Sequence, residues 1–252
     1  MNDKVDVVIL TKDSEEVLEK CIDSIYANLP VSTLIFVDGF STDKTVDIIE
    51  RYRDMHGNVE IFQDNGTRAT ARQIGIKNVR TKYFVFVDSD VVLCRDWFEK
   101  ASAYIDDSTG IVWGLNIDVV PGLESRLFLK MWKHAAKEAF NNRGGMHDTL
   151  IRYDSVKDIR IPENLHFYED TYITRHVAKK GFKIVAPDDL YCLHFRPQSD
   201  WSFRESVRIA YADIRYGLLH FHMFRYSLYY PFFVVYWILQ NVKKISGNKY
   251  SF

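Results

Sequence analysis

The stretch Tyr83-Phe-Val-Phe-Val-Asp88-Ser89-Asp90 predicts the fold of this 252-residue chain. Its five apolar or aromatic residues indicate a strand buried on both faces, which is typical of the centre of a parallel sheet. Two carboxylates follow at positions i and i+2, at the strand end where open α/β sheets bind ligands. Carboxylate oxygens suit Mg²⁺ or Mn²⁺, and these cations suit a diphosphate. We therefore predict a metal–nucleotide site at Asp88 and Asp90, with a surface turn that closes the strand as the alternative.

Strands alternate with helices in the first half of the sequence. Apolar runs and helical spacing predict strands and helices in turn over residues 5–10, 15–29, 33–37, 45–55, 59–62, 67–79 and 83–87. This alternation indicates βαβ units and a mostly parallel sheet flanked by helices. Right-handed crossovers place the strand carboxyl ends on one edge. We expect five acids to meet there: Asp13, Asp38, Asp64, Asp88 and Asp90.

The second half of the sequence is less regular. The pattern predicts helices over 97–106, 123–140 and 169–179, and extended segments over 111–120, 148–153, 183–186 and 190–195. Gly181 fits the position just after the third of these helices. We therefore predict one α/β domain over residues 1–202, followed by a helical segment over residues 203–252.

That C-terminal segment is basic and aromatic. Residues 203–224 have the spacing of an amphipathic helix, and residues 226–239 are almost wholly apolar. The apolar run is shorter than the ~20 residues that span a bilayer, so we expect it to lie at a membrane surface. From His194 onward there are eight Lys/Arg against three Asp/Glu, whereas the whole chain has a net charge of −1. A helix packed on the protein's own core or in a homo-oligomer is the alternative.

Composition and cysteine usage narrow the class of protein. With 47% apolar and 27% charged residues, the chain is globular with a full core. A net charge of −1 gives no support for nucleic-acid binding. Cys21, Cys94 and Cys192 lack metal-ligand spacing and fit buried thiols in a reducing compartment. The run Val5–Leu10 is too short for a signal segment, so we expect a cytoplasmic protein, peripheral on the inner face of the cell membrane.

Five short motifs follow one another along the sequence. They are Thr11-Lys12-Asp13, Val37-Asp38-Gly39-Phe40-Ser41-Thr42-Asp43, Ala71-Arg72-Gln73, Asp88-Ser89-Asp90 and Glu169-Asp170. In these motifs and their order, residues 5–194 resemble the family-2 glycosyltransferases, which have the GT-A nucleotide-sugar fold. The resemblance implies a GT-A (Rossmann-like), mostly parallel sheet flanked by helices, with the C-terminal helices as an appendage.

The resemblance implies that the first two motifs bind the nucleoside. Thr11 and Asp13 would line the base and ribose. Asp38 would accept a hydrogen bond from a ring N–H of the base, which favours uracil, and a turn or N-cap role is its alternative. Asp43 is interpreted as the cap of the second helix. Asp13 stands where the family more often has Asn, and Leu10 where it more often has Pro, so the base contacts stay open.

The next two motifs would hold the diphosphate and the metal. Arg72 carries a charge suited to a diphosphate or to the Asp-x-Asp carboxylates. The family implies that Asp88, with Ser89 beside it, faces the ribose or sugar and that Asp90 ligates Mn²⁺ or Mg²⁺. His194 is a further candidate ligand, since imidazole accepts Mn²⁺ more readily than Mg²⁺, and a core histidine is the alternative.

Asp170 is the predicted general base. Sugar transfer with inversion needs a carboxylate that takes the proton from an acceptor hydroxyl. Glu169 is expected to hold the loop or the acceptor. The alternative for both residues is a structural acidic pair at the start of a helix, where the helix dipole stabilises negative charge.

These motifs lead to one main functional prediction and two rivals. We expect an inverting, metal-dependent transferase that passes one sugar from a UDP-sugar to a glycan or polyprenyl-linked acceptor. Gln198-Ser199-Asp200-Trp201 lacks the Arg of processive synthases, which favours single-sugar addition. The rivals are a non-catalytic nucleotide-sugar-binding membrane partner and a nucleotidyltransferase. The latter needs a glycine-rich loop, and residues 11–14 contain no glycine.

Overall fold

The computed structural model describes residues 4–119, 145–163, 165 and 169–195. The strands are β1 (Val5–Thr11), β2 (Val31–Asp38), β3 (Val59–Gln63), β4 (Tyr83–Asp88), β5 (Val91–Leu93), β6 (Thr109–Trp113), β7 (Leu115–Asp118), β8 (Asp148–Arg152), β9 (Lys183–Val185) and β10 (Tyr191–His194). The helices are α1 (Leu18–Asn28), α2 (Thr45–His56), α3 (Arg68–Asn78), α4 (Trp97–Ser102), α5 (Tyr153–Val156) and α6 (Glu169–Lys179).

The main sheet has seven strands in the order β3-β2-β1-β4-β8-β6-β9. Strands β1 to β4 pair in parallel, whereas β8 is antiparallel to both of its neighbours, β4 and β6. A smaller sheet has the order β5-β10-β7. The predicted mostly parallel α/β sheet is thus confirmed, and β8 is an antiparallel insertion that sequence periodicity does not indicate.

Strand β4 is buried on both faces, as its sequence predicts. Val85 and Val87 pack in a core cluster with apolar residues of α1 and α2. Phe84 and Phe86 pack in a second cluster with apolar residues of α3 and α6. Each such side chain stabilises the fold by about 1.5–3 kcal/mol when it is fully buried. Two helical layers therefore fix β4 and the position of the acids at its end.

Several element boundaries differ from the predicted ones. Helix α1 begins at Leu18 rather than at residue 15, because the carbonyl of Ser14 accepts hydrogen bonds from the N–H groups of Val17 and Leu18 in a preceding turn. Helix α4 ends at Ser102, four residues early. The predicted strand over 111–120 is two strands, β6 and β7, separated at Gly114. The short elements β5 and α5 were not predicted.

Other predictions agree with the structure or lie outside the residues it describes. The three cysteines are buried free thiols, as expected. Gly181 has a φ of 87°, which fits the residue that follows α6. The predicted helices over 123–140 and 203–224, the apolar run 226–239 and the domain boundary at 202 lie outside the described residues. Within the described ranges, no helix is long and apolar enough to cross a membrane.

Candidate active site

The ends of three adjacent strands bring the first polar side chains together. Thr11 is the last residue of β1 and pairs in register with Asp38, the last residue of β2. On the other side of β1, Leu10 pairs with Asp88 at the end of β4. The structure therefore places these acids on one edge of the sheet, as the predicted parallel order requires.

Asp38 organises the turn that follows β2. Its carboxylate accepts hydrogen bonds from Thr11 Oγ1 at 2.9 Å, from Ser41 Oγ at 2.5 Å and from the Ser41 main-chain N–H at 2.9 Å. The residue is fully buried. Its predicted contact with a base stays a prediction, while its role in fixing the turn is explicit in these three bonds.

The loop after β1 is held against the loop after β2. Asp13 has a left-handed φ of 45°, and its Oδ1 accepts a hydrogen bond from the Thr42 N–H at 2.8 Å. Lys12 Nζ donates to the carbonyls of Gly39 and Phe40, both at 2.7 Å. A left-handed conformation is rare for residues other than glycine and costs free energy, so the paired loops keep Asp13 in an imposed geometry.

Asp88 and Arg72 form an ion pair at the end of β4. Arg72 Nη2 donates to Asp88 Oδ1 at 2.9 Å, and the guanidinium lies 4.6 Å from the centre of the Phe86 ring. Burial raises the pKa of the Asp88 carboxyl, but the positive charge of Arg72, with contributions from His147 and His194, holds that pKa below its usual value. Asp88 is therefore a carboxylate at neutral pH.

Two donors of the same guanidinium point to a further anionic or polar group. The Arg72 side chain is 5% exposed, and its Nε and Nη1 are buried with no hydrogen-bond acceptor among the described residues. Leaving a buried donor unpaired costs about 1–3 kcal/mol, and more for a charged group. The contact with a diphosphate that the motif predicts for Arg72 stays a prediction.

Asp90 and His194 meet beside this ion pair. His194 Nε2 lies 3.0 Å from Asp90 Oδ2, and His194 Nδ1 lies 3.1 Å from Asn116 Nδ2. One nitrogen of the His194 ring therefore faces the Asp90 carboxylate and the other faces the Asn116 amide. Ser89, between the two acids, has its hydroxyl 3.0 Å from that of Ser14. The structure thus brings together the two predicted metal ligands.

The donor set of this pair fits Mn²⁺ or Mg²⁺. A carboxylate oxygen and an imidazole nitrogen converge at the rim, where the Asp90 side chain is 27% and the Asp88 side chain 36% exposed. His194 would bind a cation through an unprotonated Nε2, because a ligating imidazole nitrogen carries no proton. Oxygen with imidazole suits Mn²⁺ in particular.

Glu169 and Asp170 form the first turn of α6. Glu169 is buried, and burial raises the pKa of its carboxyl above the usual value, although the charge of Arg72 opposes that increase. Asp170 is partly exposed, and its Oδ1 accepts a hydrogen bond from the Thr171 N–H at 2.6 Å. Arg72 therefore acts electrostatically on both Asp88 and Glu169, which joins the two halves of the site.

The sequence did not indicate a buried cluster behind these residues. His147, Asp148 and Cys192 offer potential metal-ligand atoms that all lie within 4.8 Å of one another. Burial raises the pKa of the Asp148 carboxyl, and hydrogen bonds from His147 and Trp97 offset part of that increase. Asp148 and Cys192 are fully buried, so a diphosphate at the rim cannot reach them. Only the antiparallel insertion of β8 brings this cluster together, and no local sequence signal precedes it.

A parallel-centred α/β sheet with an Asp-x-Asp rim, a basic side chain and a late acidic pair defines the class of GT-A glycosyltransferases. A family model described as glycosyl transferase family 2 matches residues 6–173, and the chain belongs to this family. The family and fold expected from the motifs are thereby confirmed.

Two curated relatives show the same similarity. The chain is 27% identical over 191 residues to the glycosyltransferase GlyA of Streptococcus pneumoniae, covering 74% of this chain and 24% of GlyA. It is 27% identical over 201 residues to the poly(ribitol-phosphate) beta-N-acetylglucosaminyltransferase TarS of Staphylococcus aureus, covering 74% of this chain and 34% of TarS. The chain thus matches only 24% of the length of GlyA and 34% of the length of TarS.

Solved structures share the fold. TarS residues 1–349 in complex with UDP-GlcNAc superpose with a TM-score of 0.62 at 22% identity, over 79% of this chain and 60% of that one. The mannosyltransferase PcManGT of Pyrobaculum calidifontis, in complex with GDP-Man and Mn²⁺, gives a TM-score of 0.60 at 17% identity, over 79% and 58%. Structures of this fold therefore exist with a uridine diphosphate sugar and with a guanosine diphosphate sugar.

Proposed function

We propose that this protein transfers a single sugar, with inversion, from a nucleotide-diphosphate sugar to an acceptor, with a UDP-sugar as the expected donor. The observation that carries the proposal is the arrangement at the end of β4. There Asp88 is paired with Arg72, and Asp90 lies against His194. One neighbour of the same fold was solved with UDP-GlcNAc and another with GDP-Man and Mn²⁺, which supports a nucleotide-sugar donor.

The residues of the rim divide the work of donor binding. Asp90 and His194 would hold a divalent cation, which neutralises the charge of the leaving nucleoside diphosphate. Arg72 would place its positive charge next to the diphosphate, while its Nη2 keeps Asp88 in place. Thr11, Asp13 and Asp38 would form the nucleoside side of the pocket, in the two loops that Lys12 joins.

Asp170 would act on the acceptor. Its carboxylate takes the proton of the attacking hydroxyl, which increases the nucleophilicity of that oxygen as the bond to the nucleotide breaks. Glu169, buried beside it and influenced by Arg72, would fix the start of α6. The acceptor is proposed to be a glycan or a polyprenyl-linked molecule, because the basic, aromatic segment 203–252 suits a membrane surface.

Turnover of radiolabelled UDP- and GDP-sugars by the full chain in MnCl₂ tests this proposal. We expect release of nucleoside diphosphate with one donor, and its loss in excess EDTA and in Asp90→Ala. Asp154→Ala is a matched control, because Asp154 is a carboxylate exposed on α5 that pairs with Lys157. Full activity of Asp90→Ala, or of the wild type in EDTA, would contradict the metal role.

A further inference from the structure

A buried hydrogen-bonded network lies behind the Asp-x-Asp residues and takes no direct part in the proposed reaction. Asp148 is 0% exposed. Its Oδ2 accepts a hydrogen bond from Trp97 Nε1 at 2.9 Å, and its Oδ1 lies 2.6 Å from His147 Nδ1. Both carboxylate oxygens are therefore occupied, so the ring of His147 is fixed in orientation and carries its proton on Nδ1.

Two glycines leave the space that this network fills. A Cβ atom at Gly114 would lie 1.9 Å from Asp148 Oδ2, and one at Gly145 would lie 2.5 Å from His147 Nε2. Both distances are far below van der Waals contact, so a side chain at either position would displace the pair. The Asp148 carboxylate is thus a physical reason for glycine at position 114, between β6 and β7.

The network contacts both halves of the candidate metal site. The main-chain carbonyl of His147 accepts a hydrogen bond from the Asp88 N–H at 3.0 Å, where β4 ends. Cys192 Sγ lies 3.7 Å from His147 Nδ1. Cys192 precedes His194 by two residues on β10, so the two side chains are on one face of that strand. A shift of the β8 backbone at His147 would therefore move Asp88 through this main-chain hydrogen bond, and a shift of the His147 ring would act on Cys192 and, through β10, on His194.

We propose that Asp148 and His147 are positioning residues for the Asp-x-Asp site. Asp148 fixes His147, and His147 sets where Asp88 stands relative to the Asp90–His194 pair. Asp148 and His147 thereby determine how tightly the site binds a divalent cation together with a nucleoside diphosphate. This inference rests on the proposed function, since it assigns the cation to Asp90 and His194. Residues that orient metal ligands typically change metal affinity by about 10- to 100-fold when they are replaced.

The test compares nucleotide binding with and without metal. UDP, or GDP if the wild type prefers it, is titrated calorimetrically into the full chain in MnCl₂ and in EDTA. Asp148→Asn keeps the shape of the side chain and removes its charge. We expect binding about 10- to 100-fold weaker in MnCl₂ and unchanged in EDTA, a split that general loosening of the fold would not produce.

Two further variants keep the test informative. Trp97→Phe removes the indole N–H and leaves a smaller ring at a fully buried position, but Asp148 keeps its contact with His147. It should lower stability and give a smaller loss of Mn²⁺-dependent binding, even if Asp148→Asn fails to fold. Ser155→Ala is the matched control, because Ser155 is also 0% exposed and donates to the Arg152 carbonyl at 2.7 Å beyond the far end of β8. It should lower stability without changing Mn²⁺-dependent binding.

Three results would overturn the positioning role. They are equal weakening with and without Mn²⁺, no weakening in either variant, and a stoichiometric zinc ion in the wild type that Cys192→Ser removes. Affinity for Mn²⁺ alone, measured by electron paramagnetic resonance of the free ion, separates this proposal from the proposed function. A wild type that binds Mn²⁺ but no nucleotide contradicts the function, and the Mn²⁺ affinities of the variants then decide the positioning role.

Discussion

At the residue scale, Arg72 connects groups that are far apart in the sequence. It pairs with Asp88 at 2.9 Å and is the principal charge that favours ionisation of buried Glu169. A lysine could not do the same, because the planar guanidinium offers five donors in a fixed geometry. The positive charge of Arg72 therefore acts on both halves of the site, on Asp88 in the donor half and on Glu169 in the acceptor half.

Replacing the proposed base should affect turnover and leave donor binding intact. Asp170→Asn keeps the size of the side chain and removes its ability to accept a proton. We expect kcat to fall by about 100- to 10,000-fold, the usual contribution of general-base catalysis, with unchanged UDP affinity by calorimetry.

Asp158→Asn serves as the control for this substitution. Asp158 is an exposed carboxylate that pairs with Lys180 at 2.6 Å, so kcat should be unchanged. Undiminished turnover in Asp170→Asn would remove Asp170 from the mechanism.

At the scale of elements, α3 lies unusually close to β1. A Cβ atom at Gly75 would lie 2.3 Å from Val8 Cγ1, and the helix N-terminus is held by reciprocal hydrogen bonds between Thr67 and Thr70. The same helix carries Arg72 one turn before Gly75. Close packing of α3 on β1 therefore sets the depth at which Arg72 reaches Asp88.

Gly75→Ala should destabilise the protein, although alanine is the better helix former. In an exposed helix the substitution would stabilise by about 1 kcal/mol. Here the added methyl group overpacks the core, and we expect a loss of about 1–3 kcal/mol in the free energy of unfolding by denaturant. Val8→Ala removes the clashing methyl group, so the double variant should lose less stability than the sum of the two single losses. A stabilised Gly75→Ala variant would show that the contact is not restrictive.

The elements of the first half could be predicted from the sequence, and those of the second half only in part. Tyr83–Val87 is apolar throughout because both of its faces are buried, and that pattern is local. The start of α1 was missed because residues 14–17 form a turn, and the Ser14 N–H donates to Thr45 Oγ1. No spacing rule indicates such a long-range bond.

The same distinction holds for the site. The acids on the sheet edge follow from strand order alone, so Asp38, Asp88 and Asp90 were identifiable. The network of Asp148, His147 and Trp97 depends on β8 lying between β4 and β6 in the opposite direction. Antiparallel insertion into a parallel sheet has no sequence signal of its own.

At the scale of the whole molecule, charge is unevenly distributed along the chain. The proposed membrane surface is tested by flotation of the full chain with anionic vesicles. Vesicle binding should fall more than tenfold when Lys243, Lys244 and Lys249 are replaced by Gln, because each basic residue contributes about 1 kcal/mol near an anionic surface.

Replacing Lys4, Lys77 and Lys179, which are exposed on the described domain, gives the same change in net charge and should have little effect. No flotation of the wild type at low salt would contradict membrane binding.

The central place of β8 has a consequence for synthesis on the ribosome. Strands β1 to β4 come from the first 88 residues and can pair as soon as they emerge, but β6 has no neighbour on its β4 side until residue 148 follows. Until then the nascent sheet ends at β4, in which the five residues Tyr83–Val87 are all apolar or aromatic. Unprotected edges of that kind recruit other strands or chaperones. The length of the segment between β7 and β8 therefore sets how long the edge of β4 stays unpaired in the growing chain before β8 can pair with it.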